Sequence, residues 1–367
     1  MNSNCNLFEY LDWRGDLPMS LIPPQEIDAM ILSRFIYAPF HLTSLKDRDC
    51  FLPVEIVIRE LLSIPNLSNF LLDPEDYALL EALLDSPRFQ TLKIGNFVDI
   101  LDPEKEFQFC ACTIEITPAL SCICFRGTDN TLIGWKENFN MGFHSTIPSQ
   151  KLALTYFNEY TGTHQQNFIL AGHSKGGNLA AYAASFCPPK TQDRITCVYN
   201  YDGPGFDQDV LSSAGYQRIC HKIQTFVPQS SLVGILLGHR EAHKVVHSRD
   251  SLAPLQHNLF SWEIYGTSFV YEDSLTNTSK YLDSTMKNWL SQMSQSQREN
   301  FVEGLFTILS NTDAQTLNEL KQDFFNNSLL MIQAMRNLDK ETKNALSEGL
   351  SLFMKSAWNT LGSWRDS

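Results

Sequence analysis

The stretch of this chain best suited to chemistry is Phe168 to Ala184, FILAGHSKGGNLAAYAA. Four apolar residues lead into Gly172-His173-Ser174-Lys175-Gly176, and a run of small residues follows. The pattern is that of a strand, a sharp turn and a helix, with a serine at the apex. Such a turn strains the serine backbone and crowds strand against helix, so the positions two residues either side must lack a Cβ. G-x-S-x-G is a short pattern, and an ordinary strand-to-helix turn is the alternative. The context sharpens it. An apolar run enters the turn, and Gly176, Gly177, Ala180, Ala181, Ala183 and Ala184 leave it as a helix slim enough to pack tightly on a sheet. Ser174 is therefore read as a nucleophile.

A serine hydroxyl is a poor nucleophile at neutral pH. It needs a base to take its proton and a carboxylate to hold that base in one tautomer. In sheets entered by such an elbow the chain order is serine, acid, histidine, with the histidine in a late loop. His257 is the last histidine and lies beyond the recognisable strands, whereas His239, His243 and His247 lie in or beside a strand region. His173 is read as a packing residue behind the elbow. For the acid, Asp202 ends the strand after the elbow in Asp202-Gly203-Pro204-Gly205-Phe206, and Asp250 lies nearer His257 in sequence. Asp before Gly-Pro is also an ordinary turn pattern. The oxyanion of acyl transfer needs two fixed donors. The Lys175 amide is one, and Thr128, closing the strand before the elbow in Phe125-Arg126-Gly127-Thr128-Asp129, offers its amide and hydroxyl as the other.

The elements that must position these groups fall in three stretches. Residues 1–90 read as helical, with Ile27, Met30, Ile31 and Phe35 at helical spacing, a helix after Pro53, and Leu79, Leu80, Leu83 and Leu84 as a stripe behind Asp73-Pro74. Arg14-Gly15-Asp16 is read as a capped turn. From Thr91 the period is two, predicting strands over 94–101, 106–116 and 121–125. After a short helix over 131–141 and a second over 150–160, strands alternate with helices as far as 244–247. This alternation predicts a parallel sheet covered on both faces, with reactive groups at the carboxyl ends of its strands. Beyond Tyr271 only helices are expected, one bearing Phe301, Val302, Leu305, Phe306 and Leu309 and another Leu346, Leu350, Phe353 and Ala357. The expected domains are 1–273 and, packed on it, 274–367.

Among 367 residues, 43% are hydrophobic and 19% charged, enough for a large core. The net charge of -13 argues against nucleic acid as a partner. No signal-peptide pattern or transmembrane run is evident, so a cytoplasmic protein is expected. Nine cysteines, an odd number, imply reduced thiols. Cys110/Cys112 and Cys122/Cys124 fall two apart in strand-like runs, so each pair shares a face. Buried thiols are expected there and no metal.

The segments FRGTDNTLIGWKENFNM, GHSKGGNLA, DGPGF and VPQSSLVG, with WRGD and QH-x-x-FSW outside them, resemble a bacterial lipase-like family without assigned function. That family is related to class 3 lipases of the α/β-hydrolase fold. The resemblance spans nearly the whole chain. It implies Thr128 as an oxyanion donor and the segment from Asp129 to Asn138, with Trp135, as a lid; Trp135 and Phe139 share one side of that short helix. The chain departs from the lipase pattern at Lys175, where a leucine is usual. It departs again at Pro228-Gln229-Ser230-Ser231, where lipases carry the acid and this chain has none. That transfers the acid to Asp202 or leaves the triad incomplete.

The expectation is an α/β-hydrolase that uses Ser174, His257 and Asp202 to cleave an acyl ester of a small-molecule substrate through an acyl-enzyme, without a cofactor. An amidase or thioesterase with the same groups, and a binding module that has lost its chemistry, are the alternatives. Oligomeric state is not legible in the sequence.

Overall fold

The computed structural model describes residues 5–46, 51–129, 131–141, 146–312 and 324–365. The chain forms two compact units. The first takes Met1–Leu101, Phe109–Gly127 and Pro148–Thr276, and the second takes Asp102–Gln108, Thr128–Ile147 and Asn277–Ser367.

The first unit is organised on a sheet built from β1 (Phe51–Pro53), β2 (Lys93–Asp102), β3 (Phe107–Thr117), β4 (Leu120–Phe125), β5 (Asn167–His173), β6 (Ile195–Tyr201), β7 (Ile223–Pro228), β8 (His243–Val246) and β11 (Tyr271–Glu272). These nine strands lie side by side in that order. The hairpin strands β9 (Ile264–Tyr265) and β10 (Ser268–Phe269) pair only with each other. From β4 to β8 every neighbouring pair is parallel. The pairs β1–β2, β3–β4 and β8–β11 are antiparallel. The α/β architecture expected from the alternation is thus present, with a two-period meander feeding a parallel centre.

Parallel neighbours need crossovers, and helices supply them. Pro148–Thr163 precedes β5, and Lys175–Phe186 links β5 to β6. β5 is buried from Phe168 to His173 because both of its faces are covered. On one face Phe168 meets Phe157 of the preceding helix edge to face, with centroids 5.5 Å apart. On the other, Ile169 and Ala171 join the core that contains Ile27, Met30 and Ile31 of the helix Glu26–Phe35. Cys110, Cys112, Cys122 and Cys124 are buried in that same core. The Cys122 and Cys124 sulfurs are 3.6 Å apart, as two residues on one face of a strand must be close. Among the described residues no group of three metal-ligating side chains is assembled.

The N-terminal helices are tied together by buried ion pairs, Arg34 with Asp76 and Arg88 with Asp28. Arg88 donates through Nε and Nη2 to the two oxygens of Asp28, each at 2.6 Å, and Tyr10 adds a third bond at 2.8 Å. Arg88 also caps the carbonyls of Leu17 and Ile22. A buried charge is tolerable when its donors are used in this way. The Arg14-Gly15-Asp16 segment ends the helix Leu7–Arg14, and the Gly15 carbonyl accepts from the Arg88 amide and the Ser86 hydroxyl.

Between β6 and β7, where the alternation predicts a helix, the chain forms two short ones, Gln208–Ser212 and Ala214–Ile219. Ser213 has extended backbone and its side chain accepts from the Tyr216 amide, so it begins a new helix instead of continuing the old one.

The second unit contains the helices Asn277–Gln292, Gln295–Ser310, Phe324–Asn337 and Lys340–Arg365, and the first, second and last of these pack around an apolar cluster of Trp289, Met293, Phe301, Val302 and Phe306. Leu346 and Phe353 pack on it, but Leu350 is exposed. Gly349 takes the facing position, where its carbonyl accepts from Trp289 Nε1 at 2.8 Å. The contact row of the last helix is thus 346, 349, 353, one residue removed from the expected 346, 350, 353. The side chain of Ala357 lies outside the described residues. Among the described residues no helix is long and apolar enough to cross a membrane.

Candidate functional site

β5 ends at His173 and the helix begins at Lys175, so Ser174 alone makes the turn. Its φ of 58° and ψ of -134° lie in a region that L-residues rarely occupy. The turn is tight because a Cβ placed on Gly172 would stand 2.2 Å from the Gly176 backbone. The Ser174 amide is bound to the Tyr201 carbonyl at 2.9 Å, which ties the apex to the end of β6. Only 7% of Ser174 is exposed.

The next strand end carries Asp202, whose φ of 50° is also left-handed. Its amide donates to the Phe226 carbonyl of β7 at 2.8 Å. The following turn is anchored to the elbow helix by Asn178, whose Nδ2 reaches the carbonyls of Pro204 and Gly205 at 3.1 and 2.9 Å. This backbone directs a fully buried carboxylate inward. Asp202 Oδ1 accepts from Ser231 Oγ at 2.5 Å and the Gly234 amide at 3.0 Å, and Oδ2 lies 2.6 Å from His257 Nδ1. The segment after β7 therefore supplies donors to Asp202 where it has no acid of its own. Because the carboxylate only accepts, His257 Nδ1 carries a proton, and in the neutral ring Nε2 is then the lone pair.

His257 lies in the 3₁₀ turn Leu255–His257. The turn is held by Trp262 Nε1 on the Gln256 carbonyl at 2.8 Å, by Gln256 Oε1 accepting from the Ser230 amide at 2.8 Å, and by Asn258 Nδ2 on Asp73 at 2.9 Å. The His257 ring packs on His173 with centroids 4.5 Å apart, and the His257 carbonyl lies 2.9 Å from His173 Nε2. The base candidate is thus fixed to the residue just before Ser174. Among the described residues no hydrogen bond joins Ser174 Oγ to His257.

Asp250 stands elsewhere in the network. Its carbonyl accepts from Gln256 Nε2 at 2.7 Å and its amide donates to Ser248 Oγ, so its backbone serves the turn. His247 meets Glu272 and Glu263 on the strand edge, and His239 pairs with Glu241. Gly127 closes on the elbow, since a Cβ placed on it would stand 3.0 Å from Ser174 Cβ. Lys175 is buried. Thr128, in the second unit, donates its hydroxyl to Asn138 Oδ1 at 2.8 Å. Trp135 and Phe139 belong to the helix Leu132–Met141, and their side chains lie outside the described residues.

Ser231, Gly234, Asn178 and Tyr37, all of which touch this constellation, were not among the residues expected from sequence. The first two lie in a run that shows neither helical nor strand periodicity. Asn178 falls inside the glycine-rich helix start, where its side chain carries no pattern of its own.

No curated protein matches the chain. Among solved structures, the crystal structure of M37 lipase is similar over 58% of this chain and 70% of that one, at 15% identity and a TM-score of 0.39. The Mbeg1-like family matches residues 83–307, from the last turn of the helix Glu75–Leu84 through the sheet and its constellation into the helix Gln295–Ser310. That stretch is more than half of the sequence, and the chain belongs to the Mbeg1-like family.

Proposed function

We propose that this protein is a serine hydrolase that cleaves a carboxylic ester through an acyl-enzyme. What supports the reading is one juxtaposition. A serine sits at a strained strand-to-helix apex, and a His–Asp pair at 2.6 Å, bonded through Nδ1 so that Nε2 is not engaged by the carboxylate, is fastened to the neighbouring residue. In the proposed cycle His257 Nε2 takes the Ser174 proton as Oγ adds to the ester carbonyl. The imidazolium then gives that proton to the departing alcohol oxygen as the C–O bond breaks. Water, deprotonated by the same nitrogen, adds to the acyl-enzyme and releases the acid with Ser174 restored. Asp202 stabilises the imidazolium and keeps the proton on Nδ1. The bond from His257 to Ser174 forms as substrate enters, since such bonds commonly tighten only in the complex.

The Lys175 amide is proposed as one oxyanion donor and Thr128, the residue after Gly127, as the other. Trp135 and Phe139 as a cover over the acyl chain belong to the same proposal on sequence grounds. The test is labelling with a fluorophosphonate, which traps an activated serine. Covalent modification at Ser174, lost in Ser174→Ala, is the expected result. A chain that takes no label, with its fold intact, is a binding module and not a hydrolase.

A further inference from the structure

His173 has no part in the proposed cycle, yet it is buried between the His257 turn and Tyr37, next in sequence to Ser174. Its Nε2 lies 2.9 Å from the His257 carbonyl, and its Nδ1 lies 3.3 Å from the Tyr37 hydroxyl, 136 residues away in sequence. That hydroxyl accepts from the Gly127 amide at 3.1 Å. A carbonyl can only accept, so Nε2 must carry the proton. In a neutral ring Nδ1 is then a lone pair, and the Tyr37 hydroxyl donates to it while its oxygen receives Gly127. The three bonds are consistent in one direction only, from Gly127 through Tyr37 to His173 and from His173 to His257.

We propose that His173, neutral and held as the Nε2–H tautomer by Tyr37, is a positioning residue that sets the His257 loop against the serine elbow. The proposal rests on the reading of His257 as the base. His173 touches the backbone and ring face of His257 and no reacting atom, so its effect is exerted through the placement of the imidazole. Arg34 backs Tyr37. Its guanidinium lies 5.1 Å from the Tyr37 ring centroid and 5.0 Å from that of Phe260, while its charge is paired with Asp76 at 2.6 Å. The neutral state of His173 has a second support. Burial first, then the neighbouring His257 and the Arg34 guanidinium, push its imidazole well below the ordinary histidine range. The helix Glu26–Phe35 and the residues after it thereby act on the site although they contribute no chemistry to it.

The test uses the full-length protein. With ¹⁵N-labelled histidine, and His173→Gln to assign the signal, His173 should show a proton on Nε2, none on Nδ1, and no titration between about pH 5 and 8. The rate of fluorophosphonate labelling at Ser174 should fall about 10²-fold in His173→Leu, because misplacing a catalytic group by about 1 Å costs that much. In Tyr37→Phe, which keeps the ring and its packing, it should fall about tenfold. His173→Gln can offer an amide N–H to the His257 carbonyl and an oxygen to Tyr37, and should label within about threefold of the native protein. A proton on Nδ1, or native labelling rates in both His173→Leu and Tyr37→Phe, overturns the proposal while the hydrolase reading stands. Absence of labelling in the native protein overturns that reading and this proposal with it. Should His173→Leu fail to fold, the tautomer and the Tyr37→Phe rate decide.

Discussion

Among the described residues, besides the strand-edge pair of His247 with Glu272, two histidines of the sheet unit are hydrogen-bonded through Nδ1 to a carboxylate, His257 to Asp202 at 2.6 Å and His239 to Glu241 at 2.9 Å. The second pair is the closer in sequence and the more enclosed. The His239 side chain is 9% exposed and its Nε2 is buried without a partner among the described residues. The His257 side chain is 29% exposed. Glu241 precedes β8 and also accepts from Thr225 Oγ1 at 2.7 Å and from the Tyr216 hydroxyl, so its oxygens knit three elements together. Asp202 instead follows β6, at the carboxyl end of the parallel strands beside the serine elbow. A histidine–carboxylate bond by itself therefore does not mark the proposed site. The distinction lies in where the second ring nitrogen points and in which strand end the pair occupies.

The comparison can be broken most directly at the nucleophile. Ser174→Ala should remove ester turnover by on the order of 10⁶-fold, to the residue left by binding alone, and remove fluorophosphonate labelling. Labelling that persists in that variant would detach the His257 pair from any nucleophile. Asp202→Asn should lose about 10⁴-fold in turnover, because the amide no longer selects the Nδ1–H tautomer, while Tm stays within about 5 °C.

Glu241→Gln provides the contrast. Turnover should stay within about threefold, while thermal stability falls. Burial raises the Glu241 carboxyl, but the bonds from His239, Thr225 and Tyr216 outweigh it and hold the group at about 2, below its ordinary 4.5. A depressed acid contributes stability that is fully present above its unfolded value and is lost as pH falls through its folded value. The Tm deficit of Glu241→Gln relative to the native protein should thus be full above pH 4.5 and shrink as pH falls towards 2. A turnover loss as large as that of Asp202→Asn would erase the distinction between the pairs.

The smallest effect is expected at Asp250, whose backbone rather than its carboxylate holds the His257 turn. Asp250→Asn should cost less than about tenfold in turnover, or about 1.4 kcal/mol of barrier, as read from steady-state ester hydrolysis. A larger loss would give Asp250 a share in orienting the base.

Much of this arrangement is legible locally. The glycines around Ser174 announce a tight turn because a Cβ at Gly172 would collide with the backbone four residues on. Period-two patterning marks β2 to β4, and continuous apolarity marks β5 as doubly covered. The amphipathic stripe of the last helix is visible too, though 346, 350, 353 and 346, 349, 353 are adjacent rows on a helix. Only the seat of Trp289 on the Gly349 carbonyl selects between them.

By itself, then, the sequence determined the main helices and the long strands, the strained apex at Ser174 and the Asp202 turn, since backbone sterics and side-chain periodicity act over a few residues; the short edge strands and the break at Ser213 were not among them. Only the tertiary structure decided that Ser231 and Gly234 complete the shell of Asp202, that His239 pairs with Glu241, and that Tyr37 and His173 link Gly127 to the His257 turn. The bonds that Asp202 and His173 make to these partners span 29 to 136 residues. Their partners are chosen by which strand ends the order of the sheet brings together, and a hydrogen bond at that separation leaves no periodic trace in the chain.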